Sequence, residues 1–354
     1  MKVSIITIHD PDVNYGSTLQ SCGTYQFIKS LGYDVQLIDY KPDYKSFKQR
    51  IKKHVLQIVF WKDAHRRRKK IDQYFAQHAS LTRRYVTRED LFADPPVADV
   101  YITGSDVIWN RDVNPEGGDP AYYLGFVRSG MKMSYAPSMG QWQSDENVRH
   151  IVDQVSDFVY LSVREERSRE QLEAAGLKNV KCVMDPVFLL DVANYQKQIQ
   201  PNIYGDYTLV YLMSDTPEKR ERVNQLARSY GDRVVAFGGF KRKSESDVFI
   251  RDAGVEDFLS LIYHAKHIIT DSFHCTAFSL IFNKQFWYLP SIDSSMRIEN
   301  MLQYVGLERR IISQSVKLDD ATRSDICYEI VNELLRPKIE ASKSYLRDAL
   351  AHCN

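Results

Sequence analysis

HIITDSFHCTAFSLIFNKQFWYLP, residues 267–290, opens with a short β-branched run, breaks at a polar pair, continues as an apolar-rich helix and returns to an apolar run. Strand, helix and strand in direct succession read as a parallel βαβ unit, because the helix carries the chain back to start the next strand in the same direction. The turn after the first strand is where such a unit offers backbone N–H groups to a bound anion. His274 stands just inside that turn.

The same alternation runs outward in both directions. KVSIITI (2–8), STLQSCGTYQFIKSLG (17–32) and YDVQLIDY (33–40) form a first unit, in which Leu19, Gly23, Phe27 and Leu31 make an apolar stripe. Gly32 closes that helix as a left-handed C′ residue. ADVYITGS (98–105), MKMSYAPS (131–138) and FVYLSVRE (158–165) supply further strands. The pattern lapses around Pro201 and Gly205, then restarts at TLVYLMS (208–214). The expectation is an α/β protein of two Rossmann-like domains facing a cleft, residues 1–197 and 206–335, with a C-terminal helix over 336–354.

The 354 residues are 44% hydrophobic and 26% charged with a formal net charge of +1, a balance that excludes a dedicated nucleic-acid binder. Five scattered cysteines without a C-x-x-C pair predict neither disulfides nor a metal site, and Cys275 reads as helix packing. The N-terminal apolar run is too short for a secretory segment, so the expected location is cytoplasmic. Residues 41–75 interrupt the pattern as an insertion. Between 41 and 70 there are twelve Lys/Arg against Asp43 and Asp63, which suits either a solvated insertion or a basic amphipathic helix resting peripherally on the inner face of a membrane.

Candidate ligand residues lie at strand ends. Asn14, Tyr15 and Gly16 form the first βα loop, with Ser17 or Thr18 expected to open the helix; Ser105, Asp106 and Trp109 follow a later strand and suit sugar hydroxyls and a sugar face. Arg164 ends another strand, ahead of a Ser168/Gln171 capping box, and suits either a carboxylate or phosphate clamp or a salt bridge to a neighbouring acid. Asp185 marks a turn. With Asp271 as the helix cap, His274 is the third helical residue, near the positive dipole end.

NYGSTLQS, LGYDVQLIDY, TGSDVIWN, SYAPSMG, SVREERS, DPVFLL, TDSFHCTAFSLIFNKQF and SMRIENMLQYVGL, in this order and over most of the chain, resemble the polysaccharide pyruvyl transferase family. The resemblance implies a GT-B-like pair of domains, the first on the acceptor side and the second on the donor side. It implies transfer of pyruvate, as a ketal, from phosphoenolpyruvate to a sugar of a cell-surface polysaccharide or its lipid- or nucleotide-linked precursor. Phosphoenolpyruvate is then a co-substrate, and neither cofactor nor metal is expected. By the resemblance Arg164 and His274 engage the donor. Many members carry Arg two residues before the histidine; Ser272 stands there in this chain, and Arg297 is the substitute cation. Asp106 or Asp271 is the general base. The competing functions on the same fold are a nucleotide-sugar glycosyltransferase and a non-catalytic saccharide-binding protein of a polymer-synthesis complex.

Overall fold

The structure is a computed structural model and describes residues 1–9, 15–42, 59–110, 118–140, 142–214, 216–239, 242, 244–290, 295–312 and 324–352. The chain divides into two compact units: Met1–Ser46, Phe75–Leu190 and Pro337–Asn354 form the first, and Phe47–Tyr74 with Asp191–Arg336 the second.

The first unit carries strands β1 (Lys2–Ile6), β2 (Asp34–Tyr40), β3 (Leu81–Tyr85), β4 (Val100–Thr103) and β5 (Met131–Ser134), a parallel sheet in the order β3-β2-β1-β4-β5. A small parallel pair, β6 (Ser162–Val163) and β7 (Lys181–Cys182), forms a separate two-stranded sheet. The second unit repeats the plan with β8 (Tyr207–Tyr211), β9 (Arg233–Phe237), β10 (Val248–Ile250), β11 (His267–Thr270) and β12 (Gln285–Tyr288), ordered β10-β9-β8-β11-β12 and again parallel. Each unit is thus a Rossmann-like half, and the fold class is the GT-B-like α/β class that the sequence predicts. The central strands β4 and β8 are buried at every position, as strands covered on both faces must be, which is why they read as unbroken apolar runs.

Helices α1 (Tyr15–Ser30), α2 (Trp61–His78), α3 (Arg88–Ala93), α4 (Asp145–Gln154), α5 (Glu166–Ala174) and α6 (Val192–Gln196) alternate with the early strands. α7 (Pro217–Tyr230), α8 (Val255–His264), α9 (Phe273–Ile281), α10 (Ser295–Tyr304) and α11 (Tyr328–Ala351) follow. α1 begins at Tyr15, two residues before the expected Ser17, and ends before Gly32 at φ +91°. Its stripe is partly steric: a Cβ on Gly23 would lie 2.8 Å from the Pro186 carbonyl oxygen, so only glycine lets the helix pack this closely on the Pro186–Phe188 turn.

Three boundaries differ from the sequence reading. The two units part at Asp191 rather than within 198–205. Residues 59–74 group with the second unit rather than the first, because Arg66 pairs with Asp252 at 2.6 Å and Lys70 with Asp257 at 2.8 Å. The C-terminal helix starts at Tyr328 rather than 336. Pro337 looks like a first-turn proline, yet it lies inside the helix, because Val331 and Leu335, one turn apart and buried in the second unit, extend the helix on its N-terminal side. Among the described residues no helix is long and apolar enough to cross a membrane.

Candidate functional site

In both sheets the strand order reverses beside the first strand, between β1 and β4 and between β8 and β11. Ligands of doubly wound sheets bind at the carboxyl ends of the strands at such a switch point. The candidate residues fall into two clusters, one in each unit.

In the first unit, Thr7 follows β1 and donates to the Ser105 carbonyl at 2.6 Å, while Gln20 of α1 donates to the Thr7 hydroxyl at 3.0 Å. Near this bridge the side-chain oxygens of Thr18, Gln20 and Ser105 are buried and, among the described residues, meet no hydrogen-bond partner. Buried polar atoms are nearly always satisfied, so three such oxygens near one switch point make this a candidate site. Sequence reasoning named Ser105 but missed Gln20 and gave Thr18 only a capping role, because the α1 stripe drew attention to its apolar residues. The signal was present as a run of Ser, Thr and Gln on a helix whose first turns are wholly buried.

Asp106 adjoins this cluster with φ +82°, a left-handed conformation that costs a non-glycine residue about 1–3 kcal/mol and is concentrated at functional sites. One carboxylate oxygen accepts from the Val107 N–H at 2.8 Å, and the Asp106 carbonyl accepts from the Ser138 N–H at 2.8 Å. Trp109 does not share in the site. Its ring is fully buried, stacks on Tyr123 at 5.9 Å and donates to the Tyr122 carbonyl, so it has no face for a sugar; the apolar surroundings of the first core claim it. Tyr15 and Gly16 are buried at the start of α1, and Asn14 lies outside the described residues.

Arg164 follows β6, and its side chain is only 5% exposed. It donates to Asp185 at 2.7 Å and to Glu165 at 3.2 Å, so the salt bridge weighed against a ligand clamp is the arrangement observed. Burial works against the guanidinium's charge, but Glu165, Asp185 and Asp106 outweigh it and hold the pKa above its ordinary value. Glu165 also accepts from Ser138 at 2.6 Å and Ser168 at 3.2 Å, and Asp185 caps the Pro186–Phe188 turn through Val187. Arg164 therefore fixes three loops beside the first unit's cluster and reaches Asp106 electrostatically. The Ser168/Gln171 capping box does not form: α5 starts at Glu166, and Gln171 bonds instead with Gln143.

In the second unit, Asp271 is buried and accepts from the Met213 N–H at 2.5 Å, the Ser214 N–H at 3.0 Å, the Ser214 hydroxyl at 2.8 Å and Lys219 at 2.7 Å. Three of these donors converge on Oδ2 and one on Oδ1, so Asp271 anchors the loop after β8 and Lys219 to the end of β11. The helix cap is Ser272, whose Oγ accepts from the Cys275 N–H at 3.4 Å, which makes His274 the second helical residue instead of the third. The Ser272 hydroxyl hydrogen remains a donor in this role. The His274 ring is buried and packs edge-on to Phe273 at 5.1 Å, and the Arg297 guanidinium lies 6.0 Å from that same Phe273 ring. Ser272 and His274 stand at the N-terminus of α9, and Arg297 reaches the Phe273 ring between them in sequence. Cys275 is fully buried and its thiol is pushed up to about 12 by burial, the packing role expected of it. Among the described residues no group of His, Cys, Asp and Glu is arranged to hold a metal ion.

A second buried network escaped the sequence reading. His9 lies 3.0 Å from Asp39 through Nε2 and 3.0 Å from the Thr7 carbonyl through Nδ1, and Asp39 also meets Arg84 at 3.0 Å and Lys41 at 3.4 Å. Burial pushes the Asp39 carboxyl up, but the His9 hydrogen bond, Lys41 and Arg84 overcome it and hold the group well below the usual carboxylate range. The one available signal was an Asp inside the buried strand QLIDY.

The family model for polysaccharide pyruvyl transferase matches residues 14–294, most of the chain. The chain belongs to this family. Both clusters fall within the matched residues, apart from Thr7 before them and Arg297 just beyond them. No curated protein is significantly similar to it in sequence. Among solved structures it is similar to a Listeria monocytogenes protein assigned as a UDP-N-acetylglucosamine 2-epimerase, with TM-score 0.55 and 11% identity over 98% of this chain and 90% of that one. It is also similar to the UDP-GlcNAc 2-epimerase of Neisseria meningitidis bound to UDP-GlcNAc (TM-score 0.52, 10% identity, 98% and 93% covered). The Rickettsia bellii UDP-N-acetylglucosamine 2-epimerase gives TM-score 0.51 and 16% identity, with 100% and 97% covered. At these identities the likeness is one of fold.

Two substitutions probe the first unit. Arg164→Met leaves two buried carboxylates unpaired and should cost about 3–5 kcal/mol in denaturant unfolding, whereas a side chain held ready for ligand would leave stability little changed. The Asp39 carboxyl is depressed below its ordinary 3.8, so its contribution is complete above that pH and is lost as pH falls below it toward the folded value. Asp39→Asn should lower stability at pH 7 and flatten the loss of stability between about pH 4 and 2, measured as melting temperature against pH.

Proposed function

We propose that this family member transfers the enolpyruvyl unit of phosphoenolpyruvate onto two hydroxyls of a sugar, giving a pyruvate ketal and inorganic phosphate. The observation that carries the reading is the grouping of Ser272, His274 and Arg297 at the start of α9, within and beside the region that matches the family. A helix N-terminus, a hydroxyl donor, an imidazole and a guanidinium suit a substrate that bears both a phosphate and a carboxylate.

The reaction sets the roles. The enol methylene takes a proton and becomes a methyl group, leaving a cationic carbon; one sugar hydroxyl attacks it, the bond to the phosphate oxygen breaks, and a second hydroxyl closes the ketal. The two hydroxyl protons balance the one gained by the methyl group and the one carried by the phosphate. His274 serves as the acid or the phosphate contact, and Arg297 supplies the cation that Ser272 does not. With Asp271 committed to four donors, Asp106 is the base for the attacking hydroxyl. Thr18, Gln20 and Ser105 receive hydroxyls of the acceptor, a saccharide on a lipid or nucleotide carrier. Arg164 is a positioning residue for Asp106.

Ligand-dependent melting tests the proposal. At about a hundredfold excess over its Kd, phosphoenolpyruvate should stabilise the folded protein by about 2.7 kcal/mol, and His274→Ala and Arg297→Ala should each lose most of that shift. Stabilisation by UDP or another nucleoside diphosphate, with none by phosphoenolpyruvate, would overturn the reading in favour of a glycosyltransferase.

A further inference from the structure

α2 divides its charges between two tasks. Arg66 and Lys70 pair with Asp252 and Asp257, which ties the helix within the second unit, and Arg68 pairs with Asp72 on the helix itself. The exposed residues of its first turns are Trp61, Lys62, His65, Arg66 and Lys69. At 100° per residue these five fall within an arc of about 140°, so they share one face. Trp61 is 61% exposed and Val59, just ahead of it, 64%; the Lys62 ammonium lies 5.6 Å from the Trp61 ring. Among the described residues Lys69 takes part in no ion pair, and between Val59 and Lys70 the sequence has only one acid, Asp63, bonded to Arg66.

An exposed indole and an aliphatic side chain flanked by lysines match the two chemistries of a bilayer surface. The indole settles at the headgroup level, with its ring apolar and its N–H polar, and the ammonium groups meet anionic headgroups. An exposed aromatic and an aliphatic residue side by side, flanked by cations with no ion-pair partner among the described residues, suit a bilayer surface better than a nucleic-acid one, which would not need the aliphatic residue. We infer that this face of α2 docks the protein peripherally on a membrane carrying anionic lipids. The inference does not rest on the pyruvyl-transfer reading, since it concerns neither cluster of candidate residues.

Co-sedimentation of the full chain with phosphatidylcholine vesicles, with and without phosphatidylglycerol, tests it. The wild type should pellet with the anionic vesicles at low salt and be released as salt screens the contact. Lys62→Ala and Lys69→Ala should each weaken binding about fivefold. Trp61→Ala should weaken it as well and abolish the blue shift of tryptophan emission on binding; all three lie on the surface and should leave the melting temperature unchanged. Absence of pelleting at low salt, equal pelleting with neutral vesicles, or indifference to these substitutions would overturn the inference. So would double-stranded DNA that competes equally for the wild type and for Trp61→Ala, which would make the face a general polyanion surface.

Discussion

A buried carboxylate that gathers four donors holds the second unit's cluster together. Asp271 ends β11 inside the protein, and burying its charge is tolerable because two backbone N–H groups, a hydroxyl and Lys219 converge on it. Those contacts join the end of β11 to the loop that follows β8, the two strands on either side of the switch point. The start of α9, and with it Ser272 and His274, is fixed as a consequence. Arg164 has the complementary role in the first unit, where one buried guanidinium holds two carboxylates and three loops beside Asp106. In both units the strand ends are set by ion pairs away from solvent, so the groups that would meet a ligand need not supply their own rigidity.

The fold was legible because parallel strands buried on both faces have to be apolar and the helices between them have to carry one apolar stripe. KVSII, VYIT, YTLVY and HIIT satisfy the first demand, and the glycine stops at Gly32 and Gly231 mark the helix ends. What misled was chemistry that serves two ends. Trp109 follows a Ser-Asp pair at a strand end, as a sugar platform would, and is core. Asp271 precedes a helix, as a cap would, and is an anchor for a different loop. Partners distant in sequence, such as His9 with Asp39, Arg66 with Asp252 and Gln20 with Thr7, leave no local periodicity to read. The length of α11 was hidden by Pro337, whose usual place at a helix start conceals the turns that precede it.

Family and fold carry different weight here. The neighbours that act on UDP-N-acetylglucosamine share the two-unit architecture at 10–16% identity, which shows how far one scaffold extends and not what this chain binds. The family match spans both clusters except Thr7 and Arg297, and it is the chain's own side chains that give the reading content: hydroxyls and an amide oxygen without a partner among the described residues near Asp106 in one unit, a serine, an imidazole and a guanidinium at a helix start in the other. The departure at Ser272 is informative for the same reason. A hydroxyl at that position caps α9, and the positive charge comes from Arg297, one helix further along the chain.

The central claim is that the start of α9 receives the donor anion, and the most direct measurement is histidine-selective nitrogen NMR of the labelled protein titrated with phosphoenolpyruvate. The chain has nine histidines, and the His274 signal is identified as the one missing in His274→Gln. The account predicts that this signal moves with phosphoenolpyruvate, saturates, and keeps its free position with UDP. A His274 signal that stays in place while phosphoenolpyruvate shifts other histidines, or that moves only with the nucleotide, would contradict it.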